Sequence, residues 1–213
     1  MESNSDMNPE LPTVVFDIGG VLVQEGNRRE TIRDNIAAKA PSLDKDSFIA
    51  AYWQGRDAYD RGVSPAEYWR GVLAESGADE AEITDELIAY ADKMDGELSA
   101  AISEEMTELL HRIHAAGAQM IILSNAPASM ANAVRSQKWF ELFDGAVFSS
   151  EVALIKPEPE IYAAVEKLAK SKEIVFFDDR PVNTEAANAR GWNAVTFTQA
   201  SDVTDTLTFL ERN

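Results

Sequence analysis

The chain has 213 residues, 45% of them hydrophobic, with 37 acidic against 19 basic side chains, a formal net charge of −18 and no cysteine. That length supports one large domain or a core carrying a smaller insertion, and the hydrophobic share is enough for a sizeable core. The acidity argues against nucleic acid and anionic membranes as partners, the missing cysteines remove disulfides, thiol nucleophiles and thiolate zinc sites, and no apolar run approaches the roughly 18 residues of a membrane span.

The first dozen residues, MESNSDMNPELP, lack the charged start and apolar middle of a signal peptide and read as a disordered lead-in, which with the missing cysteines fits a cytoplasmic enzyme. Next comes TVVFDIGGVLV from Thr13 to Val23: a short apolar strand that runs into Asp17 and then Gly19-Gly20. Residues 27–39 and 44–54 carry helical patterns, the second with Phe48, Ile49 and Tyr52 as its buried stripe. Ser64-Pro65-Ala66-Glu67 is a capping box with proline at the first helical position. Its helix presents Tyr68, Trp69, Val72 and Leu73 and stops at Gly77, and Ile83, Leu87, Ile88, Ala91 and Met94 mark a further amphipathic helix. Residues 26–94 are thus expected to form about four helices and no strand, an all-helical unit inserted after a single strand.

From about Leu98 on the pattern changes to alternation. A helix over Met106, Leu109, Leu110 and Ile113 ends at Gly117, and Met120–Leu123 forms a strand ending in Ser124-Asn125. Pro127 opens a helix, Ala146–Phe148 is a third strand, and Lys156-Pro157 precedes a helix with Ile161, Tyr162 and Val165. A fourth strand, Ile174–Phe177, ends in Asp178-Asp179. A helix over 184–190, a strand over 194–198 and a helix over 202–210 complete the chain. Alternating strands and helices predict an α/β fold, a mostly parallel Rossmann-like sheet with helices on both faces.

In such a sheet the strand ends share one edge, where ligands bind. Asp17, Ser124-Asn125 and Asp178-Asp179 therefore converge. Each has a plainer reading alone: a turn after Asp17, turn residues at Ser124-Asn125, a helix cap at Asp178-Asp179, a solvated loop lysine at Lys156. Taken together they suit phosphoryl transfer. Asp17 and Asp179 are oxygen ligands for a hard cation such as Mg²⁺, with Asp178 a third carboxylate or a partner behind them. Lys156 supplies a point charge, and a carboxylate nucleophile completes the set. His111 and His114 lie three apart near a helix C-terminus and read as surface residues.

The motifs FDIGGVL, ILSN, Lys156-Pro157 within EVALIKPEPEIY, and FFDDRPVNTEAA resemble the four signatures of the haloacid dehalogenase superfamily over nearly the whole chain. They are most similar to those of bacterial alpha-D-glucose-1-phosphate phosphatases, and more distantly to the phosphatase domain of soluble epoxide hydrolases. The resemblance implies a core of residues 1–25 and 95–213 and a helical cap of residues 26–94. It implies Asp17 as the nucleophile that becomes an aspartyl-phosphate, with Lys156 beside it. Ile18, Gly19, Ser124, Asn125 and Lys156 would meet the substrate, a small phosphorylated metabolite. Mg²⁺ would sit on Asp17, the Gly19 carbonyl, Asp178 and Asp179. Asn183 stands where many relatives have a second acid, and Asp178 where glycine is common.

Two departures matter. Most phosphatases of this family have an aspartate two residues after the nucleophile as general acid and base, a role typically worth about 10²–10⁴ in rate; here that residue is Gly19. The chain is then a weak or inactive phosphate-binding relative, or another group moves the proton, or the leaving group needs little protonation, as with a sugar 1-phosphate. Metal-independent dehalogenation is a further alternative, opposed by the acidic pair. Ala153 replaces a glycine common before the lysine. In the cap, Trp53, Arg56, Tyr59, Arg61, Tyr68 and Trp69 are of types that meet sugars or anions, but the expectation is apolar core for the aromatics and solvent for the arginines. No feature selects monomer over dimer.

Overall fold

The protein is described as a computed structural model covering residues 11–24 and 26–211, so the predicted lead-in over residues 1–10 lies outside the described residues. Five strands, β1 (Thr13–Phe16), β2 (Met120–Ser124), β3 (Gly145–Phe148), β4 (Ile174–Asp178) and β5 (Asn193–Thr196), form one sheet in the order β3-β2-β1-β4-β5, every pairing parallel. The first strand in sequence is thus the central one. Parallel neighbours need crossover helices, which cover both faces, and that is why the strands read as unbroken apolar runs.

The side chains nevertheless alternate. Val14, Phe16, Met120, Ile122, Val175 and Phe177 enter one apolar cluster, while Val15, Ile121, Leu123, Val147, Ile174 and Phe176 enter another on the opposite face. The first is closed by α6 (Glu104–Ala115), α7 (Ala128–Arg135) and α11 (Ser201–Thr206), the second by α9 (Pro159–Glu166) and α10 (Pro181–Ala189). Register aligns Phe16 with Ile122 and with Phe177, so Asp17 leaves the sheet beside the ends of β2 and β4.

Residues 26–98 carry α1 (Arg28–Ala37), α2 (Lys45–Gln54), α3 (Arg56–Asp60), α4 (Pro65–Glu75) and α5 (Asp85–Leu98) around their own apolar cluster. The helix starts follow the side-chain caps: Asp44 accepts from the Asp46 amide, Ser64 from Glu67 and Thr84 from Leu87. This layer rests on the sheet layer through α5. A Cβ at Gly96 would lie 2.8 Å from the Ser129 carbonyl, so the approach of α5 to the start of α7 is one that only glycine permits. Tyr59 and Ser129 hydroxyls meet at 3.2 Å, and Arg61 grips Glu158 with two nitrogens at 2.9 and 2.6 Å.

The differences from expectation are local. The short α3 and α8 (Ser149–Val152) carry no apolar period long enough to read in sequence. The last helix stops at Thr206 because Leu207 leaves helical geometry, and a 3₁₀ turn covers Thr208–Glu211. Pro181, in the first helical position, starts α10 three residues ahead of the expected point. The expected unit boundary at residue 94 falls inside α5, which continues to Leu98.

Candidate active site

Asp17 leaves β1 with its backbone still in the ladder, its amide donating to the Phe177 carbonyl at 2.9 Å. The chain then folds tightly: the Val21 and Val23 amides both reach the Ile18 carbonyl, and Gly20 turns with φ +75. Ile18, Val21 and Leu22 are sealed in the core, which fixes the turn and thereby the Asp17 carboxylate. Asp17 Oδ1 accepts from the Ile18 amide at 2.7 Å, and Oδ2 lies 2.9 Å from the Lys156 ammonium.

Lys156 spends all three donors on the protein. Besides Asp17 it reaches Asp178 Oδ2 at 2.6 Å and the Leu123 carbonyl at 3.1 Å. Its backbone is clamped by Asn125, whose amide nitrogen donates to the Lys156 carbonyl at 3.1 Å and whose Oδ1 accepts from the Lys156 N–H at 2.8 Å. Asp178, fully buried, also accepts from the Arg180 amide and from Asn183 Nδ2. Burial pushes the Asp17 carboxyl up to about 7, with Lys156 pulling against it and Asp178 adding to the rise. The two aspartates in turn hold the Lys156 ammonium above its usual range despite burial.

Carboxylate oxygens of Asp17, Asp178 and Asp179 all lie within 4.8 Å of one another. Asp179 packs so closely on the turn that a Cβ at Gly20 would sit 2.4 Å from its Oδ2. Asn183 is 1% exposed, and its Oδ1 has no hydrogen-bond partner among the described residues because its nitrogen must face Asp178. An unsatisfied buried acceptor beside a cluster of acids, all oxygen donors, suits a hard, hydrated cation such as Mg²⁺, whose waters donate to second partners. The residues present fit that ion.

Above these groups opens a cavity of about 550 Å³ between the two layers. Asp17, Gly19, Ser124, Asn125, Lys156, Asp179 and Asn183 line its floor. Its opposite wall comes from the helical layer: Arg28, Arg29, Tyr52, Trp53, Arg56, Asp57 and Asp60. The sheet edge thus brings the sequence-derived residues together, with two refinements. Asn125 uses one amide N–H and its oxygen on the Lys156 backbone while still lining the cavity, and Asp178 sits behind Lys156, outside the cavity lining, so that Asp17 and Asp179 are the acids of its floor.

The expectation for the cap aromatics and arginines needs correcting. Tyr59, Tyr68 and Trp69 are core, but Trp53 is 49% exposed and faces the cavity. Arg56, expected in solvent, is 7% exposed and bound to Asp60, Asp95 and Tyr52; burial without such partners would be prohibitive for a guanidinium. The i, i+4 spacing of Arg56 and Asp60 was the one available signal. Arg28 and Arg29 carried no signal, since their role depends on where α1 begins. His111 and His114 lie exposed near the end of α6, as expected.

Comparison with known proteins identifies the family and the fold. The family described as haloacid dehalogenase-like hydrolase matches residues 11–191. Among solved structures, the HAD family enzyme bt-2542 from Bacteroides thetaiotaomicron is similar in two forms. One superposes with TM-score 0.69 at 22% identity, covering 92% of this chain and 98% of that one. An aspartate-to-alanine mutant of it, in complex with magnesium and inorganic phosphate, gives 0.68 at 23%, covering 91% and 98%. The L-2-haloacid dehalogenase of Xanthobacter autotrophicus, with chloropropionic acid covalently bound, gives 0.59 at 19%, covering 95% and 87%. At these identities the likeness establishes the fold. No curated protein sequence matches the chain.

Proposed function

This chain is a haloacid dehalogenase-like hydrolase, and on that premise we propose that it hydrolyses a small phosphomonoester with Mg²⁺ through an aspartyl-phosphate on Asp17. The observation that carries the reading is the arrangement at the sheet edge: Lys156 held between Asp17 and Asp178, with Asp179 and the unsatisfied Asn183 Oδ1 facing the same cavity. The magnesium and phosphate bound by a similar structure support it.

Asp17, Asp179 and the Gly19 carbonyl would hold the cation, and Asn183 would accept from its water. When bound, the cation supplies positive charge to the phosphoryl oxygens. An Asp17 oxygen attacks phosphorus, the ester oxygen leaves with its electron pair, and water then attacks the phosphorus of the acyl phosphate to release inorganic phosphate and the free carboxylate. Lys156 keeps Asp17 oriented and lowers its basicity; Asn125 and Asp178 are positioning residues that act through Lys156. Ser124, which lines the cavity at the end of β2, would bind a phosphoryl oxygen. We read residues 26–94 as a cap whose wall excludes bulk water during the reaction.

Gly19 has no side chain to protonate the departing oxygen. A leaving group that departs unassisted fits best, and an anomeric hydroxyl, more acidic than an ordinary alcohol, is one; a sugar 1-phosphate is the substrate type we propose. The test is phosphate release from a panel of sugar phosphates, nucleotides and phosphorylated acids, with Mg²⁺ and with EDTA, for the parent and Asp17→Asn. Mg²⁺-dependent release, lost by three orders of magnitude or more in Asp17→Asn, is expected, since an isolated nucleophile knockout typically costs on the order of 10⁴–10⁶. Metal-independent halide release from 2-haloacids would instead identify a dehalogenase. Equal or higher kcat/KM on sugar 6-phosphates would overturn the anomeric preference.

A further inference from the structure

We infer that Arg61 is a positioning residue for the reaction: by gripping Glu158 it fixes, from the helical layer, the loop that delivers Lys156 to Asp17. This rests on the reading above that Lys156 orients Asp17.

Lys156 stands in an irregular stretch, residues 153–158, between α8 and α9. Such a stretch has no ladder or helix of its own to hold it. It also begins on Ala153 in left-handed geometry, φ 56, a conformation that residues other than glycine rarely adopt. Its shape must therefore be held by its contacts. One support is the Asn125 clamp on the Lys156 backbone, from the sheet layer. The other is Glu158. Its Oε2 accepts at 2.9 Å from the amide of Ile155, the residue just before the lysine, and its own amide donates back to the Ile155 carbonyl at 2.8 Å.

Arg61 holds that carboxylate across the layer boundary. Nη1 donates to the same Oε2 at 2.9 Å and Nη2 to Oε1 at 2.6 Å, a two-bond fork that fixes direction as well as distance. Nη1 also lies 3.4 Å from the Ala153 carbonyl, so the guanidinium spans the loop from its first residue to its last. The neighbours of Arg61, at the end of α3, dock in the same place. The Asp60 carbonyl accepts from the Ser149 hydroxyl at 2.5 Å, and that hydroxyl accepts at 2.8 Å from the amide of Ala126, which follows Asn125. Gly62 turns with φ +106, and a Cβ there would lie 3.3 Å from the Ser150 carbonyl. One corner of the helical layer thus rests on the supports of both the Asn125 loop and the Lys156 loop. The Arg61 and Glu158 side chains are 37% and 34% exposed, so the pair adds little to stability and the fold survives its removal.

The test measures p-nitrophenyl phosphate hydrolysis at saturating Mg²⁺ for the parent, Arg61→Ala, Arg61→Lys, Glu158→Gln and the double variant Arg61→Ala/Glu158→Gln. Thermal melts and hydrogen exchange over residues 153–158 accompany it. Glutamine at position 158 keeps an oxygen for the Ile155 amide and loses only the charge that Arg61 grips. In Arg61→Ala kcat is expected to fall about tenfold to a hundredfold, the scale of a misplacement of about 1 Å, with KM changed by no more than about twofold. Glu158→Gln should follow it, and Arg61→Lys should retain part of the rate because an ammonium cannot form the fork. The double variant should be no slower than the slower single, since both changes break one contact. Exchange over 153–158 should quicken in Arg61→Ala while the strands keep theirs, a pattern that a general loss of stability would not confine to the loop. A kcat within about twofold of the parent's in Arg61→Ala, single effects that multiply in the double variant, or unchanged exchange over the loop overturns the inference and leaves the phosphatase reading intact. A parent that releases no phosphate overturns the phosphatase reading instead, and the exchange comparison then decides the positioning by itself.

Discussion

Among the described residues, two places bury one cation between two aspartates. At the sheet edge Lys156 stands between Asp17 and Asp178; in the helical layer Arg56 stands between Asp60 and Asp95. The helical cluster closes on itself. Arg56 Nε donates to Asp60 at 2.9 Å, its Nη1 to Asp95 at 3.0 Å and to the Tyr52 hydroxyl at 2.6 Å, and Tyr52 donates back to Asp95 at 2.9 Å. The sheet-edge cluster is closed only behind Lys156, where Asp178 takes the lysine, Asn183 and a backbone amide. On the cavity side Asp17 is held by a lysine and its neighbour's amide, and Asn183 Oδ1 has no partner among the described residues. A closed network of charges rigidifies a wall. One left open toward a cavity is poised to take up a ligand, and the difference lies in which valences remain rather than in charge.

Removing either cation is the strongest way to break that comparison. Arg56→Ala and Lys156→Ala each leave two buried carboxylates without their partner and should each cost about 3–5 kcal/mol in denaturant unfolding. Excess Mg²⁺ should restore part of the loss for Lys156→Ala, since the proposed cation site adjoins Asp17, and none of it for Arg56→Ala. Equal rescue of both would erase the distinction.

The next effect is a pH dependence. Burial raises Asp17 from its ordinary 3.8 to about 7, so its ionised form is disfavoured in the folded chain. The associated stability is present in full below about pH 4 and is lost as pH rises through about 7, a swing of roughly 4 kcal/mol at most. In EDTA, Asp17→Asn should therefore be more stable than the parent at pH 8, with the gap closing toward pH 4. Added Mg²⁺ should reverse the order at pH 8. A parent already the more stable at pH 8 in EDTA would contradict the sign.

Smaller effects test the turn and the lysine loop. Gly20→Ala combines φ +75 with a Cβ 2.4 Å from the Asp179 carboxylate, so about 1–3 kcal/mol of destabilisation is expected together with weaker Mg²⁺ binding by calorimetry. The smallest change runs the other way. Ala153 adopts left-handed geometry, φ 56, where an alanine is strained by about 1–2 kcal/mol. Ala153→Gly should stabilise by about 0.5–1 kcal/mol once the glycine's greater freedom in the unfolded chain is subtracted. An unchanged melting temperature would show that the loop tolerates the alanine without strain.

Much of this protein follows from its sequence alone. Apolar runs bounded by glycine, proline and capping residues specify where the strands and the long helices lie, because hydrophobic period and cap chemistry act over a few residues. Parallel strands must end on one edge, and so Asp17, Ser124, Lys156 and Asp178-Asp179 could be placed in one site before any coordinates. What no local signal carries is which donor meets which acceptor. That Asn125 clamps the Lys156 backbone with one amide N–H and its oxygen is set only by the fold. Asp178 and Asp179 are adjacent and chemically identical, yet strand pleating buries the first against Lys156 and presents the second to the cavity. Arg56 reads as solvated until Asp95, 39 residues on, is brought to 3.0 Å. Arg28, Arg29 and Trp53 gain their place on the wall only when the helices after β1 close over its end. Those assignments are long-range, set by the packing of one layer on another, and the tertiary structure alone decides them.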